Sequence, residues 1–436
     1  MKSKLWRAAI LAFAVWAWKL EAAPRLKYVV IVTRHGVRSP TWDAARLNQY
    51  SAQPWPDWGV PPGYLTSHGR KLAVILGSYY REWLTQEHLL GSAGCGDRGR
   101  LYIWADTDQR TLETGRALAE SLLPGCGFTI HSRREGEPDP LFSGTGSPNP
   151  VLAAKAVLDR LGAGPQKLLA DHRAALDTLQ FILTGGQPPS KKLIEPPAEM
   201  GVLLHGKLID LSGPFAVGST LSENLLLEYA NGRHGAELGW GRLTEANLFQ
   251  ALELHRSYAD LMRRTPYLAR VRGSNLLAHV LASIEQAVSG KTVAGALGQP
   301  ETALLILSGH DTNLSNISGM LGLSWALPGY QPDETPPGGA LILSLWRDPQ
   351  NGQLFVRTQY TAQTLDQMRN ADVLSLTVPP ANQAVSIPGC ETTSSDEGCT
   401  WPRFKFVLQR AIDRSRIDFR AFQETGQAQN LQARSH

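Results

Sequence analysis

A histidine flanked by two arginines ends the first strongly apolar run of this 436-residue chain. Residues 28–32 predict a buried strand, and residues 34–40, Arg-His-Gly-Val-Arg-Ser-Pro, follow it. The guanidinium groups of Arg34 and Arg38 suit a small, doubly charged anion such as phosphate, because their planar N–H donors match its oxygens. An uncharged imidazole at His35 can act as a nucleophile between them. The motif therefore predicts an anion site with a nucleophile at the carboxyl end of a strand.

Two further apolar runs, residues 101–104 and 303–307, also predict strands that end in charged side chains. The first run is followed by a helix predicted to extend to about residue 123. Because open α/β sheets bind ligands beyond the carboxyl ends of their strands, we expect the three segments to meet there. The side chains that follow the two runs are Asp106, Arg110, His310 and Asp311.

Together the three segments resemble the histidine acid phosphatases, branch 2 of the histidine phosphatase superfamily. The resemblance extends from about residue 28 to the early 400s. It is greatest to the bacterial periplasmic phytases and glucose-1-phosphatases, through residues 138–142, 239–242 and 335–339. It implies hydrolysis of phosphomonoesters through a phosphohistidine, with phytate (inositol hexakisphosphate) as the favoured substrate. No cofactor and no metal are expected.

The resemblance also implies roles for individual residues. His35 would be the nucleophile, and Asp311 would donate a proton to the leaving oxygen. Neighbouring cations should lower the pKa of His35 and keep its ring uncharged in acid. A carboxyl group near the usual aspartate pKa of about 3.9 is protonated only in acid, which predicts an acidic optimum. Phosphate binding is implied for Arg34, Arg38, Arg110 and His310.

Two of these residues have other interpretations that the sequence leaves open. Arg110 could pair with Glu113 one turn later in the predicted helix instead of binding phosphate. Asp106 could orient an arginine or cap the same helix. A binding protein without turnover would need the arginines, but it would gain nothing from His35 and Asp311 together, so their presence favours an enzyme. A phosphoglycerate-mutase-like phosphotransferase is disfavoured by the signs of export and by the His-Asp motif.

Substrate preference depends on residues outside the central cluster. Arg272 and Glu223 match substrate-pocket residues of the phytase branch by their place in the chain, although either could be an exposed helix charge. Thr41 is a further candidate, but it is followed by Trp42 where those phytases carry a lysine. A tryptophan there could stack on a sugar or aryl group, which suits a glucose-1-phosphatase or a broad-specificity acid phosphatase. Gly36 directly after the histidine instead matches the phytases.

The N-terminus predicts export to the periplasm or secretion. Residues 1–22 combine basic residues, an apolar stretch and small residues near position 22, as in a signal peptide. The apolar stretch is shorter than the about 20 residues that span a bilayer, but Lys19 and Glu21 make the cleavage site poorly defined, so a retained anchor is an alternative. The formal charge of +4 includes an excess of three positive charges in this segment. The near-neutral remainder gives no reason to expect nucleic acid or membrane partners. We expect a monomer whose partner is a small phosphomonoester.

Four cysteines in an exported protein favour disulfides, and three pairings are possible. The resemblance implies Cys95–Cys126 and Cys390–Cys399. Free buried thiols are the alternative, and no group of cysteines and histidines has the spacing of a metal site.

Strands that alternate with helices, interrupted by a helical stretch, indicate an α/β protein. We predict a mostly parallel central sheet flanked by helices, the phosphoglycerate-mutase-like arrangement, with an inserted smaller α-helical domain. The catalytic domain would comprise residues 24–145 and 265–422, and the insert residues 146–264. Residues 423–436 are polar and predict a flexible tail. The site is expected in the cleft between the two domains.

Overall fold

The fold is described from a computed structural model. The described residues are 23–91, 94–162, 164–195, 199–202, 209–390 and 398–420. The predicted signal peptide at residues 1–22 and the predicted tail at residues 423–436 lie outside them. Within the described ranges, no helix combines the length and the apolar character that a membrane crossing needs.

Nine strands are present in the described part of the chain. They are β1 (Arg25–Arg34), β2 (Leu101–Ala105), β3 (Glu199–Val202), β4 (Ile209–Ser212), β5 (Leu304–Gly309), β6 (Ala340–Arg347), β7 (Leu354–Ala362), β8 (Ala381–Ala384) and β9 (Cys399–Thr400). Seven of them form one sheet in the order β2-β5-β1-β6-β7-β8, with β9 also paired to β7. Strands β1, β2, β5 and β7 run in one direction, and the other three run against them. The predicted α/β class with a mostly parallel sheet is confirmed.

Helices cover both faces of this sheet and form a separate group beside it. They are α1 (Ala44–Leu47), α2 (Ser67–Gln86), α3 (Gln109–Leu122), α4 (Pro140–Ser143), α5 (Pro150–Leu161), α6 (Pro165–Asp171), α7 (Arg173–Thr184), α8 (Pro214–Ala230), α9 (Glu245–Met262), α10 (Pro266–Ser289), α11 (Asp311–Leu321), α12 (Leu365–Asn370) and α13 (Trp401–Ala411). Threonine is among the residues preferred at helix N-caps, and Thr66 and Thr244 cap α2 and α9.

Residues 28–32 of the central strand β1 are apolar because both faces of the strand are buried there. Val30 and Val32 lie in a core that includes residues of α10, α11 and α13. Val29 and Ile31 point to the opposite face, into a core that includes residues of α2 and α3. This double burial makes β1 a rigid support for the motif that follows it.

A third core joins α5, α7, α8 and α9, within the region predicted as an inserted helical domain. The additional helical region is therefore present, while the boundaries at residues 146 and 264 stay a prediction. The region also contains the antiparallel pair β3–β4, which the sequence does not predict because each strand is only four residues long. Helix α8 is buried along almost its whole length and reaches the site from this region.

Helix α2 approaches the first motif closely through a glycine. A Cβ atom at Gly69 would lie 2.1 Å from the carbonyl oxygen of Val37, within the loop that carries His35 and Arg38. Any larger side chain there must displace this loop.

Gly69→Ala should therefore destabilise the protein by about 1–3 kcal/mol and lower turnover, because overpacking would displace the motif. Thermal unfolding and steady-state kinetics measure the two effects. Gly99→Ala is the matched control, since its Cβ would meet no atom within 4 Å. Equal stability and turnover of the two variants would contradict this account of the packing.

Two disulfides join the cysteine pairs that the resemblance implies. Cys95 and Cys126 are 31 residues apart and enclose β2 and α3, and Cys390 and Cys399 are 9 residues apart. Cys126, Cys390 and Cys399 are buried, whereas Cys95 is exposed.

Replacing both cysteines of the first pair by serine should cost about 1 kcal/mol more unfolding free energy than replacing both of the second, because the longer loop restricts the unfolded chain more. Denaturant titration of the two double variants tests this difference. A larger loss for the Cys390–Cys399 pair would show that loop length does not determine the order.

Candidate active site

The three predicted segments meet because their strands end at the same level of the sheet. Arg34 at the end of β1 pairs in register with Gly309 at the end of β5, and Ala105 at the end of β2 pairs with Ser308. The residues that follow these strands therefore converge. The ring centroids of His35 and His310 lie 5.4 Å apart, with the rings nearly perpendicular.

His35 is held as a neutral ring with a defined tautomer. Its side chain is almost fully buried, and Nδ1 lies 2.8 Å from the carbonyl oxygen of Gly36. Because a carbonyl oxygen only accepts, Nδ1 carries the proton and Nε2 keeps its lone pair. Burial, and then the charges of Arg110 and Arg34, hold the pKa of His35 well below its usual value. The ring can therefore stay nucleophilic in acid.

One buried carboxylate holds the two arginines of the first motif. Glu223 of α8 accepts a hydrogen bond from Nη2 of Arg34 at one oxygen, and a 3.1 Å bond from Nη2 of Arg38 at the other. Burial raises the pKa of Glu223, but Arg38 and Arg34 outweigh it and lower the pKa to about 2. The interpretation of Glu223 as an exposed helix charge is wrong, since the side chain is buried.

Arg34 is completely buried, and its Nη1 donates to the carbonyl oxygen of Thr335 at 2.6 Å. The Nε–H groups of Arg34, Arg38 and Arg110 are buried and have no hydrogen-bond partner among the described residues. Three unpaired cationic donors in one cluster are costly unless an acceptor-rich group meets them. The cluster is thus suited to an oxyanion.

Arg110 does not pair with Glu113, so that interpretation is wrong. Its Nη2 donates to Asp108 at 2.7 Å and its Nη1 to the carbonyl oxygen of Gly63 at 3.3 Å, whereas Glu113 pairs with Arg116. These contacts come from outside the helix turn and direct the guanidinium toward the cluster of His35, whose pKa it lowers.

Asp106 takes neither of the two roles that the sequence suggested. One of its oxygens accepts from Nε2 of His310 at 2.9 Å, and the other accepts from the backbone N–H of Thr107. The residue at the N-cap of α3 is Asp108. Asp106 therefore orients a histidine and neither an arginine nor the helix, because the end of β2 lies beside the end of β5.

Asp311 is the first residue of α11 and is ionised in this arrangement. One oxygen accepts from the backbone N–H of Thr312 at 2.8 Å, and the other accepts from Nη1 of Arg263. Burial raises the pKa of Asp311, but Arg263, Arg34 and His255 outweigh it and hold the pKa well below its usual range. The expectation of an ordinary aspartate pKa is wrong for the unliganded site.

Three site residues are not identified by the sequence: Arg263, His255 and Glu334. Arg263 lies at the end of α9, next to Arg264, and resembles an ordinary basic helix terminus. His255 lies two turns earlier, with Nε2 4.0 Å from Asp311 and 3.6 Å from Glu334. Histidine on the apolar face of α9 is the one weak hint, and it specifies no partner.

The remaining candidates, Thr41 and Arg272, are not among the residues that line the cavity beside the arginines, although Thr41 directly precedes Trp42, which does line it. Thr41 is exposed, and Arg272 is half-buried, so the interpretation of Arg272 as an exposed charge is wrong. Burial lowers the pKa of Arg272, and the titratable groups beside it are Tyr258, Arg263 and Asp210. The cavity is lined in part by Trp42, Arg46, Glu223, His255, Tyr258 and Arg263.

Trp42 is itself uncharged, but its ring contacts the cationic side chain of Arg46. The guanidinium carbon of Arg46 lies 3.6 Å from the centroid of the tryptophan ring, within the range of a cation–π contact. Arg46 thus brings a positive charge to the cavity wall that position 42 itself lacks.

Two groups of carboxylates and histidines are close enough to suggest metal ligands: Asp106, Asp108 and His310, and Glu223, His255 and Asp311. In each group, guanidinium groups already bind carboxylate oxygens that a metal would need. The surrounding positive charge disfavours a cation. The expectation that no metal is needed stays a prediction.

Known proteins are similar to this chain over most of its length. A family model described as Histidine phosphatase superfamily (branch 2) matches residues 25–171 and 227–361. Phytase AppA of Escherichia coli (strain K12) is 34% identical over 404 residues, which cover 89% of this chain and 92% of that protein. A glucose-1-phosphatase of Providencia rettgeri is 28% identical over 397 residues, with the same shares covered.

Solved structures of phytases have a similar fold. Hafnia alvei phytase in complex with tartrate has a TM-score of 0.84 and 33% identity, covering 91% of this chain and 99% of that one. The same phytase in complex with myo-inositol hexakis sulphate has a TM-score of 0.83 at 33% identity, with the same shares covered. The convergence of the three motifs and the match across both parts of the α/β fold have one explanation: the chain belongs to branch 2 of the histidine phosphatase superfamily.

Proposed function

We propose that this protein is an exported acid phosphatase that acts through a phosphohistidine and favours phytate. As a member of its family, it is a phosphoric monoester hydrolase. The observation that carries the proposal is the neutral, buried ring of His35 beside three arginines whose Nε–H donors lack partners. A phosphoryl group supplies the acceptors that these donors need.

In the proposed reaction, Nε2 of His35 attacks phosphorus in line and the bond to the leaving oxygen breaks. Asp311 delivers a proton to that oxygen, so the product is a neutral alcohol. Water then attacks the phosphohistidine, its proton passes to the Asp311 carboxylate, and the P–N bond breaks. Arg34, Arg38 and Arg110 stabilise the charge on the phosphoryl oxygens in both steps.

His310 completes the proposed site as an oriented ring. Asp106 fixes it at Nε2, and the ring stands edge-on 5.4 Å from His35. Its closeness to His35 supports the proposed role of His310 in phosphate binding. Thr41 and Arg272 are proposed to contact the rest of the substrate.

Phytate is the proposed substrate because two arginines line the cavity outside the central cluster, beside the carboxylates Asp210 and Glu223. Arg46 and Arg263 line it together with Glu223, whose charge Arg34 and Arg38 already neutralise. The ring face of Trp42 that meets Arg46 is not available for stacking on a sugar, which weakens the glucose-1-phosphatase alternative. The printed names of relatives include both activities, so small monoesters are the second candidate.

Export is proposed from residues 1–22 and is supported by the cysteines, because both pairs are oxidised and disulfides persist in oxidising compartments. We also propose that the protein is a monomer.

His35→Ala should abolish phosphate release from phytate, glucose-1-phosphate and p-nitrophenyl phosphate between about pH 3 and 8, with EDTA present, because His35 supplies the attacking nitrogen. Asp311→Asn should lose phytate turnover by about 10²–10⁴-fold but retain more p-nitrophenyl phosphate turnover, since that leaving group needs less protonation. Arg270→Gln, an exposed arginine on α10, is the control. Full activity of His35→Ala would overturn the mechanism, and no release by the wild type would favour a binding protein.

Arg46→Gln should raise the KM for phytate about fivefold and leave p-nitrophenyl phosphate nearly unchanged, because only the larger substrate reaches the cavity wall. Arg46→Lys keeps the positive charge and should leave the KM for phytate close to the wild-type value. Arg116→Gln, which replaces a surface arginine on α3, is the matched control. Wild-type preference for glucose-1-phosphate, with no response of phytate to Arg46→Gln, would instead make the protein a sugar-phosphate phosphatase.

A further inference from the structure

We propose that Arg263 keeps Asp311 as a carboxylate in the free enzyme, so that the proton for the leaving oxygen enters the site on a monoanionic phosphate ester. The inference rests on the proposed roles of His35 and Asp311. Arg263 would be a positioning residue that decides the source of the catalytic proton.

The hydrogen bonds of Asp311 carry this inference. Both of its oxygens accept from fixed donors, the backbone N–H of Thr312 at one and Nη1 of Arg263 at the other. The side chains of Arg263 and Asp311 are only 18% and 12% exposed, so water screens the ion pair weakly. A proton on the carboxylate would have to displace or weaken a buried charge-assisted bond.

The other charged groups around Asp311 give the same balance. Arg34 of β1, Arg110 of α3 and His255 of α9 favour the carboxylate form of Asp311. The two carboxylates that oppose it are Glu223 of α8 and Glu334 of the loop after α11. In addition, both carboxylates have cationic or histidine neighbours of their own. The groups are Arg34, Arg110, His255, Glu223 and Glu334. The field at Asp311 is therefore positive, and the pKa of Asp311 lies well below its usual range although burial alone would raise it.

A phosphomonoester can supply what Asp311 lacks. Its second ionisation has a pKa of about 6, so in mild acid the ester is a monoanion with one P–OH group. In the bound complex this proton passes to the Asp311 carboxylate, and the phosphoryl group becomes fully ionised among the arginines. Asp311 then gives the proton to the leaving oxygen as the P–O bond breaks and the P–N bond to His35 forms.

The second half-reaction restores the starting state. Water attacks the phosphohistidine and its proton passes to Asp311, which returns it to the departing phosphate. Inorganic phosphate leaves as the monoanion, and Asp311 is again the partner of Arg263. No proton from the solvent is needed by Asp311 in the cycle.

The first test is the pH dependence of kcat/KM for a series of aryl phosphates that differ in their second pKa. If the substrate brings the proton, the fall of kcat/KM at higher pH follows the pKa of each substrate. If instead the fall occurs at one pH for every ester, Asp311 is protonated from solution and the proposal is wrong. The wild-type enzyme suffices for this test.

The second test is direct and does not require turnover. Binding of an aryl sulfate, which has no P–OH group, should take up about one proton per site near pH 4.5, because the added negative charge forces the ionised Asp311 to protonate. Calorimetry in buffers of different ionisation enthalpy measures this uptake. Asp311→Asn should take up none.

Variants of Arg263 complete the test. Arg263→Gln removes the charge and should take up less than half of the wild-type amount, because Asp311 then carries its own proton. Arg263→Lys should resemble the wild type, and Arg270→Gln controls for the loss of one positive charge. Wild-type uptake by Arg263→Gln, or no uptake by the wild type, would overturn the proposal. An inactive His35→Ala beside either result leaves the proposed function intact, and an active one would refute that function separately.

Discussion

The double ion pair of Glu223 with Arg34 and Arg38 is the interaction on which the site depends. Burying two guanidinium groups is costly unless a carboxylate meets them, and Glu223 meets both at once. One negative charge does not balance two positive ones, so the pocket stays cationic. Burial and then this residual charge lower the pKa of His35, and the charge attracts an oxyanion. Because Glu223 comes from α8, the helical region is part of the catalytic centre.

The second constraint is the register of the parallel strands. Residues near positions 35, 106 and 310 meet because β1, β2 and β5 end at the same level. Helices α3 and α11 start there and leave their first residues facing the same space. The pairing of His310 with Asp106 follows from this neighbourhood. A strand shifted by one residue would reverse its side chains and separate the motifs.

Two arginines outside the motifs, Arg46 and Arg263, add to the charge around the site. Arg46 stacks on Trp42 and brings a cation to the cavity wall where the local sequence lacks one. Arg263 pairs with Asp311 and changes its ionisation. Neither arginine belongs to a catalytic motif, yet each alters the electrostatics that substrates meet. Residues outside the motifs therefore contribute to the charge of the site.

The sequence by itself determined the α/β class, the three strand–motif segments, the capping of α2 and α9 by Thr66 and Thr244, and the family. These features are local, since periodicity, capping and motif spacing involve residues close together in the chain. Only the tertiary structure decided that Asp106 pairs with His310, that Glu223 joins two arginines and that Arg263 pairs with Asp311. Electrostatic effects depend on distances between side chains far apart in the sequence, and folding alone sets those distances.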